Sequence, residues 1–333
     1  MRVPVFSILK NCGGPLSLLA ALAACQPQPE TAGSQTGAAH PPTGHFAGTL
    51  TSAGHPDLRA ALEVRHPRPG HYDAELVVDA APTLSFVADT VAFAAGHLRV
   101  VRPGLPGQLL TLQQQGDFWR GSLAVDSTSY TTLLVRRGPP EPAVYRVQRD
   151  EVAGPMGDAL LFSPADESLL GAGLAVFPTA ATVGTSPAWA DALARQGYTV
   201  LLLPAADSLT PLALTAALAY LRRTPGVDTM QVGTWAAGRR AEVLATLLTQ
   251  PDAPYPAPAF VVAQEAPAPT AATRLAWRTL GQRKRVLGVY EATGAAITKS
   301  AATMRGALGK QGRVLRGQGP GLTTSVAAWL REK

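Results

Sequence analysis

The stretch that decides the fold is Trp189-Ala-Asp-Ala-Leu-Ala-Arg-Gln-Gly-Tyr-Thr-Val-Leu-Leu-Leu203. Its first part places apolar residues at helical spacing, and this pattern stops at Gly197. The part from Tyr198 to Leu203 is apolar on both faces, as a strand of a parallel sheet must be when helices cover it on both sides. A helix that leads directly into a buried strand predicts an α/β fold.

The same alternation continues on both sides of this stretch. Apolar runs typical of buried strands occur at 172–178, 230–233, 260–263 and 286–290. Segments with helical spacing occur at 212–223, 241–249 and 323–331. Strands and helices that alternate at this pace predict a doubly wound, mostly parallel α/β sheet with right-handed crossovers.

The sequence before this region has a different character. Residues 44–137 contain short runs that alternate apolar and polar side chains, and Pro, Gly and Asp turns separate them every 8–14 residues. This spacing is typical of a small barrel or sandwich. Gly138-Pro-Pro-Glu-Pro142 then interrupts regular structure. We therefore expect an all-β module over 44–138 and an α/β domain over 139–333.

The N-terminus carries the features of an export signal. Arg2 and Lys10 precede a short apolar stretch, which is too short to span a bilayer because a spanning helix needs about 20 residues. The stretch ends in Leu22-Ala-Ala-Cys25, which resembles the bacterial lipobox. The resemblance implies a signal peptide over 1–24, cleaved after Ala24, and a diacylglycerol on Cys25. The alternative is an ordinary signal peptidase site with an incidental cysteine.

Residues 26–43 are rich in Pro, Gly, Gln and Thr and have no apolar period, so we expect 25–43 to be a disordered tether. Cys12 and Cys25 are the only cysteines, and Cys12 lies in the segment predicted to be removed. With the lipid on Cys25, the mature chain has no disulfide, no thiolate zinc site and no cysteine nucleophile. Its stability must come from the apolar core, and 46% of the residues are apolar.

Charge is unevenly distributed along the chain. The formal net charge is +6, yet residues 278–333 hold eleven Lys and Arg against Glu291 and Glu332, a local charge of +9. One interpretation is a basic face turned toward anionic phospholipid or glycan. The other is an arginine-rich proteome, because Arg outnumbers Lys by 24 to 5. Aromatic and basic residues do not interleave, and we expect no nucleic-acid partner.

The central motifs resemble a known enzyme superfamily. Three segments follow the order found in α/β-hydrolases. They are the stretch from Trp189 to Leu203, then Ala217-Leu-Ala-Tyr-Leu-Arg-Arg-Thr-Pro-Gly-Val-Asp228, and then Met230-Gln-Val-Gly-Thr-Trp235. They are most similar to the branch that contains the dienelactone hydrolases and the prolyl-oligopeptidase-like enzymes. The resemblance covers about 150–333. It implies a nucleophile on a sharp turn between strand and helix, an acid, and a late histidine base.

The turn expected to carry the nucleophile reads Thr234-Trp-Ala-Ala-Gly-Arg-Arg-Ala241. An active relative has G-x-S-x-G here. In this chain Gly238 takes the serine position, Ala236 and Arg240 take the positions of the two glycines, and Arg239 follows the nucleophile position. Residues 233–241 contain no Ser, Cys or Asp. The resemblance thus implies a degenerate nucleophile turn.

The other catalytic roles also have no candidate. All six histidines lie at or before His97, and the loop expected to hold the base has Gly319 or Pro320 instead. The acid loop offers only Glu291, with no imidazole to orient. The turn that usually forms the oxyanion site reads Pro178-Thr-Ala-Ala-Thr-Val-Gly184. A serine without a base is a poor nucleophile, so we predict no catalytic residues.

These observations predict an envelope lipoprotein whose hydrolase-type domain is non-catalytic and acts in binding or scaffolding. Two alternatives stay open: an active serine esterase or peptidase that uses Ser186 or Ser208, and a glycan- or lipid-binding protein that works through its β-module. The expected partners are the membrane, through the anchor, and an unknown envelope protein, glycan or small apolar ligand. No cofactor is expected. Gln26 follows Cys25 where an Asp would favour the inner membrane, so the outer membrane is the expected location.

Two further residue types need an interpretation. His45, His55, His66 and His71 could gather around zinc or copper. Their spacing matches no compact ligand motif and their neighbours include Pro and Gly, so we predict turn residues and no metal site. Trp235 is expected to pack in the core beneath the turn.

Overall fold

The computed structural model describes residues 40–332, except 55, 89, 153–156, 252–254 and 311. The predicted signal peptide, Cys25 and most of the predicted tether lie outside the described residues, as does His55. Among the residues described, no helix combines the length and the apolar character needed to cross a membrane.

The first part of the chain forms a nine-stranded antiparallel sheet in the order β4-β3-β2-β1-β9-β8-β7-β6-β5. A 3-10 turn at Pro82–Leu84 precedes β4. The strands are β1 Gly44–Thr51, β2 Leu58–Arg68, β3 His71–Val78, β4 Phe86–Ala88, β5 Val91–Ala94, β6 His97–Arg102, β7 Leu105–Gln115, β8 Phe118–Val125 and β9 Thr128–Gly138.

Alternation along these strands builds the core of this β-module. Because successive side chains point to opposite faces, alternate residues in the middle of β7 are buried, namely Gln108, Leu110 and Leu112. Phe46 of β1 and Phe93 of β5 both contact Trp119 of β8 edge to face, at ring-centroid distances of 6.0 and 6.2 Å. A central strand and the edge strand β5 therefore meet around one tryptophan. Strands β3 and β4, at the other edge, contact β5 and β6, so the sheet is nearly closed.

The second part forms an eight-stranded sheet in the order β10-β11-β13-β12-β14-β15-β16-β17. Strand β11 pairs antiparallel with both β10 and β13, and the strands from β13 onward in this order pair in parallel. The strands are β10 Tyr145–Glu151, β11 Asp158–Pro164, β12 Gly171–Phe177, β13 Thr199–Leu202, β14 Val227–Ala237, β15 Phe260–Gln264, β16 Arg285–Tyr290 and β17 Arg313–Arg316.

In the described part of the chain, six helices cover this sheet on both faces. They are α1 Ser186–Ala194, α2 Pro211–Arg223, α3 Gly238–Leu248, α4 Ala271–Arg283, α5 Ala295–Leu308 and α6 Pro320–Arg331. One core cluster joins α1 and α6 to one face, and a larger cluster joins α2, α3, α4 and α5 to the other. The predicted fold class, a doubly wound α/β sheet preceded by a small all-β module, is confirmed.

The structure corrects several predicted elements. The strand predicted at 230–233 continues as β14 to Ala237, and α3 starts at Gly238 instead of Ala241. Strands β10, β11 and β17 and helices α4 and α5 were not predicted. Helix α4 is capped by Thr270 and Thr273, whose side chains bond each other's backbone N–H. This cap lacks the Glu or Gln by which a capping box is recognised in a sequence.

The β-module packs directly on the α/β domain. Val87 of β4 belongs to the same core cluster as Leu160 of β11 and Trp189 of α1. At the turn between β6 and β7, a Cβ added to Gly104 would lie 3.0 Å from Leu160 Cδ1. The contact between the two sheets is therefore close and partly apolar.

Buried charges reinforce this contact. The Asp191 carboxylate of α1 accepts hydrogen bonds from Arg102 of β6 and, at 2.6 Å, from the Tyr145 hydroxyl. Arg195 donates to Glu75 of β3 at 2.7 Å. Burial raises the pKa of Asp191, and the Arg102 guanidinium and the Tyr145 hydroxyl oppose that rise. The Asp191 carboxyl thus depends on a cation supplied by the β-module.

Candidate functional site

The turn between β14 and α3 lies where the resemblance places a nucleophile. Gly238 has a φ of +52°, in the left-handed region that L side chains rarely adopt. A Cβ added there would lie 3.5 Å from Thr179 Cγ2, an ordinary contact distance. The backbone therefore has the form of a strained strand-to-helix turn with room for a side chain, and the residue present has none.

Arg240, two residues further on, is turned inward and is 4% exposed. Its Nη1 donates to the carbonyl of Pro178, after β12, at 2.7 Å and approaches the carbonyl of Pro204, after β13, at 3.5 Å. Its guanidinium lies 5.4 Å from the centre of the Phe177 ring. The side chain thus fills the space beside the carboxyl ends of β12 and β13 and holds them together.

The surroundings of Arg240 shift its pKa but leave its guanidinium charged. Burial lowers the pKa of Arg240 to about 10, and Asp207 acts in the opposite direction. The guanidinium is still charged at neutral pH. A charged, hydrogen-bonded arginine in this place has a structural role, and it offers no proton acceptor to a neighbouring hydroxyl.

Glu291, the candidate acid, follows β16 and is held in a hydrogen-bond network. Its Oε1 accepts from Trp189 Nε1 at 2.9 Å and from the amide of Gln264. Gln264 in turn accepts from Trp235 Nε1 at 2.9 Å. The partners of Glu291 are therefore an indole and an amide, and the carboxylate links α1 to the ends of β14, β15 and β16.

Trp235, which was predicted to lie in the core, is 1% exposed and lies 5.0 Å from Trp189 between ring centres. That prediction is confirmed. Gly319, in the loop expected to hold the base, has a φ of +70° and immediately precedes α6. No histidine of the whole sequence comes later than His97.

The two alternative serines differ in their surroundings. Ser186, at the start of α1, is 2% exposed, and its hydroxyl donates to the Thr182 carbonyl at 2.8 Å. Ser208 is exposed in the loop after β13. The first hydroxyl is engaged with the backbone, and the second lies on the surface.

The described histidines of the β-module lie in strands or next to them, so the prediction of turn residues is wrong for His45, His66 and His71. His45 in β1 pairs with Glu63, and His66 in β2 stacks on Tyr72 at 4.3 Å between ring centres. Among the residues described, His45, His66 and His71 do not gather into one metal-ligating group.

One different group has metal-ligand geometry. The ligand atoms of His45, Glu63 and Glu141 all lie within 4.8 Å of one another. Glu63 already accepts from the Glu141 backbone N–H at 2.9 Å as well as contacting His45. The buried Glu63 carboxylate is thus satisfied by protein groups, and the cluster is explained as an ion pair.

A cavity of about 340 Å³ lies between the β-module and the α/β domain. It is bounded on one side by the 3-10 turn, the β6–β7 turn and the β8–β9 turn, and on the other by α1 and the loops that precede α5 and α6. The lining residues used below are Leu84, Arg102, Leu105, Gln108, Val125, Ala188, Trp189, Glu291 and Gly319.

The cavity combines apolar walls with a few polar groups that are held in place. Arg102 Nη1 donates to Gln108 Oε1 at 2.9 Å and to the Thr83 carbonyl at 2.7 Å, and Gln108 Nε2 donates to the Leu84 carbonyl at 3.1 Å. Glu291 and Gly319, from the loops expected to hold the acid and the base, line the cavity, whereas Gly238 does not. The cavity is therefore adjacent to the expected catalytic loops and extends toward the β-module.

Sequence reasoning identified Gly238, Arg240 and Glu291 and missed the cavity. Arg102 and Asp191 are 89 residues apart in the chain. Neither lies in a motif, so no pattern in the sequence indicated that they would pair.

No protein-family model and no curated protein matches the sequence. Solved structures do match. S-formylglutathione hydrolase of Staphylococcus aureus matches with a TM-score of 0.40 and 8% identity, over 56% of this chain and 96% of that chain. Carboxyl esterase 2 of the mycorrhizal fungus Tuber melanosporum matches with a TM-score of 0.42 and 15% identity, over 58% and 87%. Dienelactone hydrolase of Anabaena variabilis matches with a TM-score of 0.40 and 17% identity, over 56% and 95%.

All three structures bear the names of hydrolases. For this chain, the α/β-hydrolase type of fold is carried by its own strand order and by the left-handed turn at Gly238 between β14 and α3.

Proposed function

We propose that this chain is a non-catalytic, lipid-anchored binding protein of the bacterial cell envelope, in which a hydrolase-type domain serves as the scaffold. The observation that carries the proposal is Gly238, a residue without a side chain at the left-handed position where a nucleophile would stand. Glu291 is bonded to Trp189 and Gln264, and Gly319 stands where a base is expected. Nucleophilic catalysis needs a nucleophile and a base within hydrogen-bond reach, and this turn offers neither.

The cavity between the two sheets is the proposed binding site. Its volume of about 340 Å³ suits a small ligand, since ligand sites in proteins begin at about 300 Å³. Leu84, Leu105, Val125 and Trp189 give it apolar walls, so the ligand class is a small, mainly apolar molecule with one or two polar groups. Because Arg102 and Gln108 are fixed by hydrogen bonds, binding does not have to order them.

A dye-binding experiment tests the cavity. The neutral fluorescent probe N-phenyl-1-naphthylamine is titrated into the protein, and Ala188→Trp fills the cavity from the α1 side. We expect saturable binding that the substitution weakens about tenfold or more, a loss of about 1.4 kcal/mol. Ala302→Trp, at an exposed position of α5, is the matched control and leaves binding unchanged. Equal binding by the wild type and Ala188→Trp contradicts the assignment of the site.

The lipid anchor is proposed from Leu22-Ala-Ala-Cys25 alone, because these residues lie outside the described part of the chain. Mass spectrometry of the mature N-terminus in a bacterial host tests it. The expected product begins at Cys25 and carries a diacylglycerol, whereas Cys25→Ser carries no lipid and is released from the membrane fraction by a high-salt wash. A mature chain that begins elsewhere contradicts the anchor and leaves the cavity proposal intact. Fractionation of the two membranes tests the proposed outer-membrane location.

A further inference from the structure

We propose that the outer surface of α4 and α5 is a second membrane contact, one that binds the headgroups of an anionic phospholipid bilayer. This inference rests on the proposed envelope location and adds an electrostatic contact to the lipid anchor. The surface, called the cationic face below, consists of the exposed side chains Arg274, Arg278, Arg283, Lys299, Arg305 and Lys310.

The two helices that carry this face are close neighbours. A Cβ added to Gly281 of α4 would lie 2.6 Å from the carbonyl of Leu308 in α5, so the helices are in backbone contact there. Trp277 of α4 and Met304 of α5 belong to the same buried cluster against the sheet. With their inner sides packed on one face of the sheet, both helices turn their charged sides to solvent.

The charges of this face are not neutralised within the described structure. The ion pairs formed by the described residues involve none of the six cations. The single acid in 271–310 is Glu291, which lies in the cavity wall. Five of these cations lie on the two adjacent helices, and Lys310 lies in the turn directly after α5. Together they attract an anionic surface, and each Lys or Arg near an anionic bilayer contributes about 1 kcal/mol.

The composition of the face favours a bilayer over a nucleic acid. Leu275 lies between Arg274 and Arg278 in the sequence and is 67% exposed. An apolar side chain beside cations suits the boundary between headgroups and acyl chains. Binding to single-stranded nucleic acid uses exposed aromatic rings for base stacking, and the tryptophan of α4, Trp277, is fully buried.

Vesicle co-sedimentation tests the inference on the full chain carrying Cys25→Ser, so that no lipid anchor contributes. We expect binding to vesicles that contain phosphatidylglycerol, little binding to pure phosphatidylcholine vesicles, and weaker binding as the salt concentration rises. The triple variant Arg274→Gln, Arg278→Gln, Lys299→Gln should bind about a hundredfold more weakly, as the loss of three cations predicts. Thermal melting confirms that the variant is folded.

The matched control removes three exposed cations from the β-module instead, with Arg59→Gln, Arg99→Gln and Arg120→Gln. It has the same net charge as the test variant and should keep wild-type binding. An equal loss in both triple variants means that net charge alone acts, and it overturns the inference. Binding to heparin or DNA without binding to anionic vesicles also overturns it. Dye binding in the cavity and lipidation at Cys25 are measured separately, so a failure here is distinguishable from failure of the proposed function.

Discussion

Arg102 of the β-module and Asp191 of α1 form a buried ion pair across the contact between the two sheets. Arg102 is 2% exposed and Asp191 is 4% exposed. Arg102 also lines the cavity, and Asp191 lies on the helix that forms the opposite wall. The pair therefore fixes the two walls of the proposed binding site relative to each other.

Removal of one partner should destabilise the protein strongly. Arg102→Met leaves the Asp191 carboxylate buried without its cation, and a buried pair broken in this way costs about 3–5 kcal/mol. We expect a fall of that size in the free energy of unfolding, measured by urea denaturation at about pH 7. The double variant Arg102→Met, Asp191→Leu removes both charges and should recover a large part of the loss. A double variant as unstable as the single variant contradicts this account.

The effect of Arg102→Met should depend on pH. Without the cation, burial raises the pKa of Asp191 in the folded state further above its ordinary value of 3.8. A carboxyl whose folded pKa is raised contributes stability at low pH and loses it as pH rises through the folded pKa. The difference in unfolding free energy between wild type and variant should therefore be smaller at about pH 4 than at about pH 7. A difference that stays constant would mean that lost packing, and not the charge, is responsible.

Arg240 is predicted to be a structural residue of the α/β domain. In Arg240→Met the Pro178 carbonyl loses a charged donor and keeps the backbone N–H of Ala206 at 3.3 Å. A hydrogen bond to a charged group is worth about 1.5–3 kcal/mol, which is the expected loss of unfolding free energy. Arg239→Met, at the exposed neighbouring position, is the control and should change stability by about 0.5 kcal/mol or less. Equal effects of the two substitutions contradict the role given to Arg240.

Much of the fold was predictable because its periodic segments are strong. In the stretch 189–203, the helix and the buried strand were predicted correctly. Its helical apolar spacing up to Gly197 corresponds to α1, and the apolar run after Gly197 corresponds to β13. Strand β17 is only four residues long, and α5 contains Gly306 and follows directly after Gly294, so neither presents a clear pattern. The end of β14 was missed because Thr234 to Ala237 are buried on all sides and show no alternation.

The candidate site was predictable only where a motif exists. The lack of a nucleophilic side chain at Gly238 was predictable from the sequence, because residues 233–241 contain no Ser, Cys or Asp. The cavity is formed by segments of both the β-module and the α/β domain. The ion pair between Arg102 and Asp191 forms only when these two parts pack against each other. Contacts between residues so distant in sequence leave no local signal.

Gly238 also provides a direct test of the geometry at the turn. Gly238→Ser places a side chain at ordinary contact distance from Thr179, so the variant should fold, with a loss of about 1–3 kcal/mol for a non-glycine residue at positive φ. It should show no esterase activity toward p-nitrophenyl acetate above the wild type, because no imidazole is available to accept the serine proton. Ester hydrolysis restored by this one substitution contradicts the conclusion that the base is missing.

A second glycine, Gly233 in the strand that leads into this turn, serves as the control for that variant. A Cβ at Gly233 would lie 2.2 Å from the Phe260 ring, far inside contact distance. Gly233→Ser should therefore be more destabilising than Gly238→Ser in thermal melting, by about 1–3 kcal/mol from overpacking. If Gly238→Ser were the more destabilising of the two variants, the surroundings assigned to Gly233 and Gly238 would be wrong.

The central claim is that the hydrolase-type domain carries no working nucleophile, and active-site labelling tests it most directly. The purified protein is incubated with a fluorophosphonate probe beside an active serine esterase, and covalent adducts are measured by intact-protein mass spectrometry. The account predicts full labelling of the esterase and none of this protein. Stoichiometric labelling that disappears in Ser186→Ala or Ser208→Ala would contradict it and establish an active serine hydrolase.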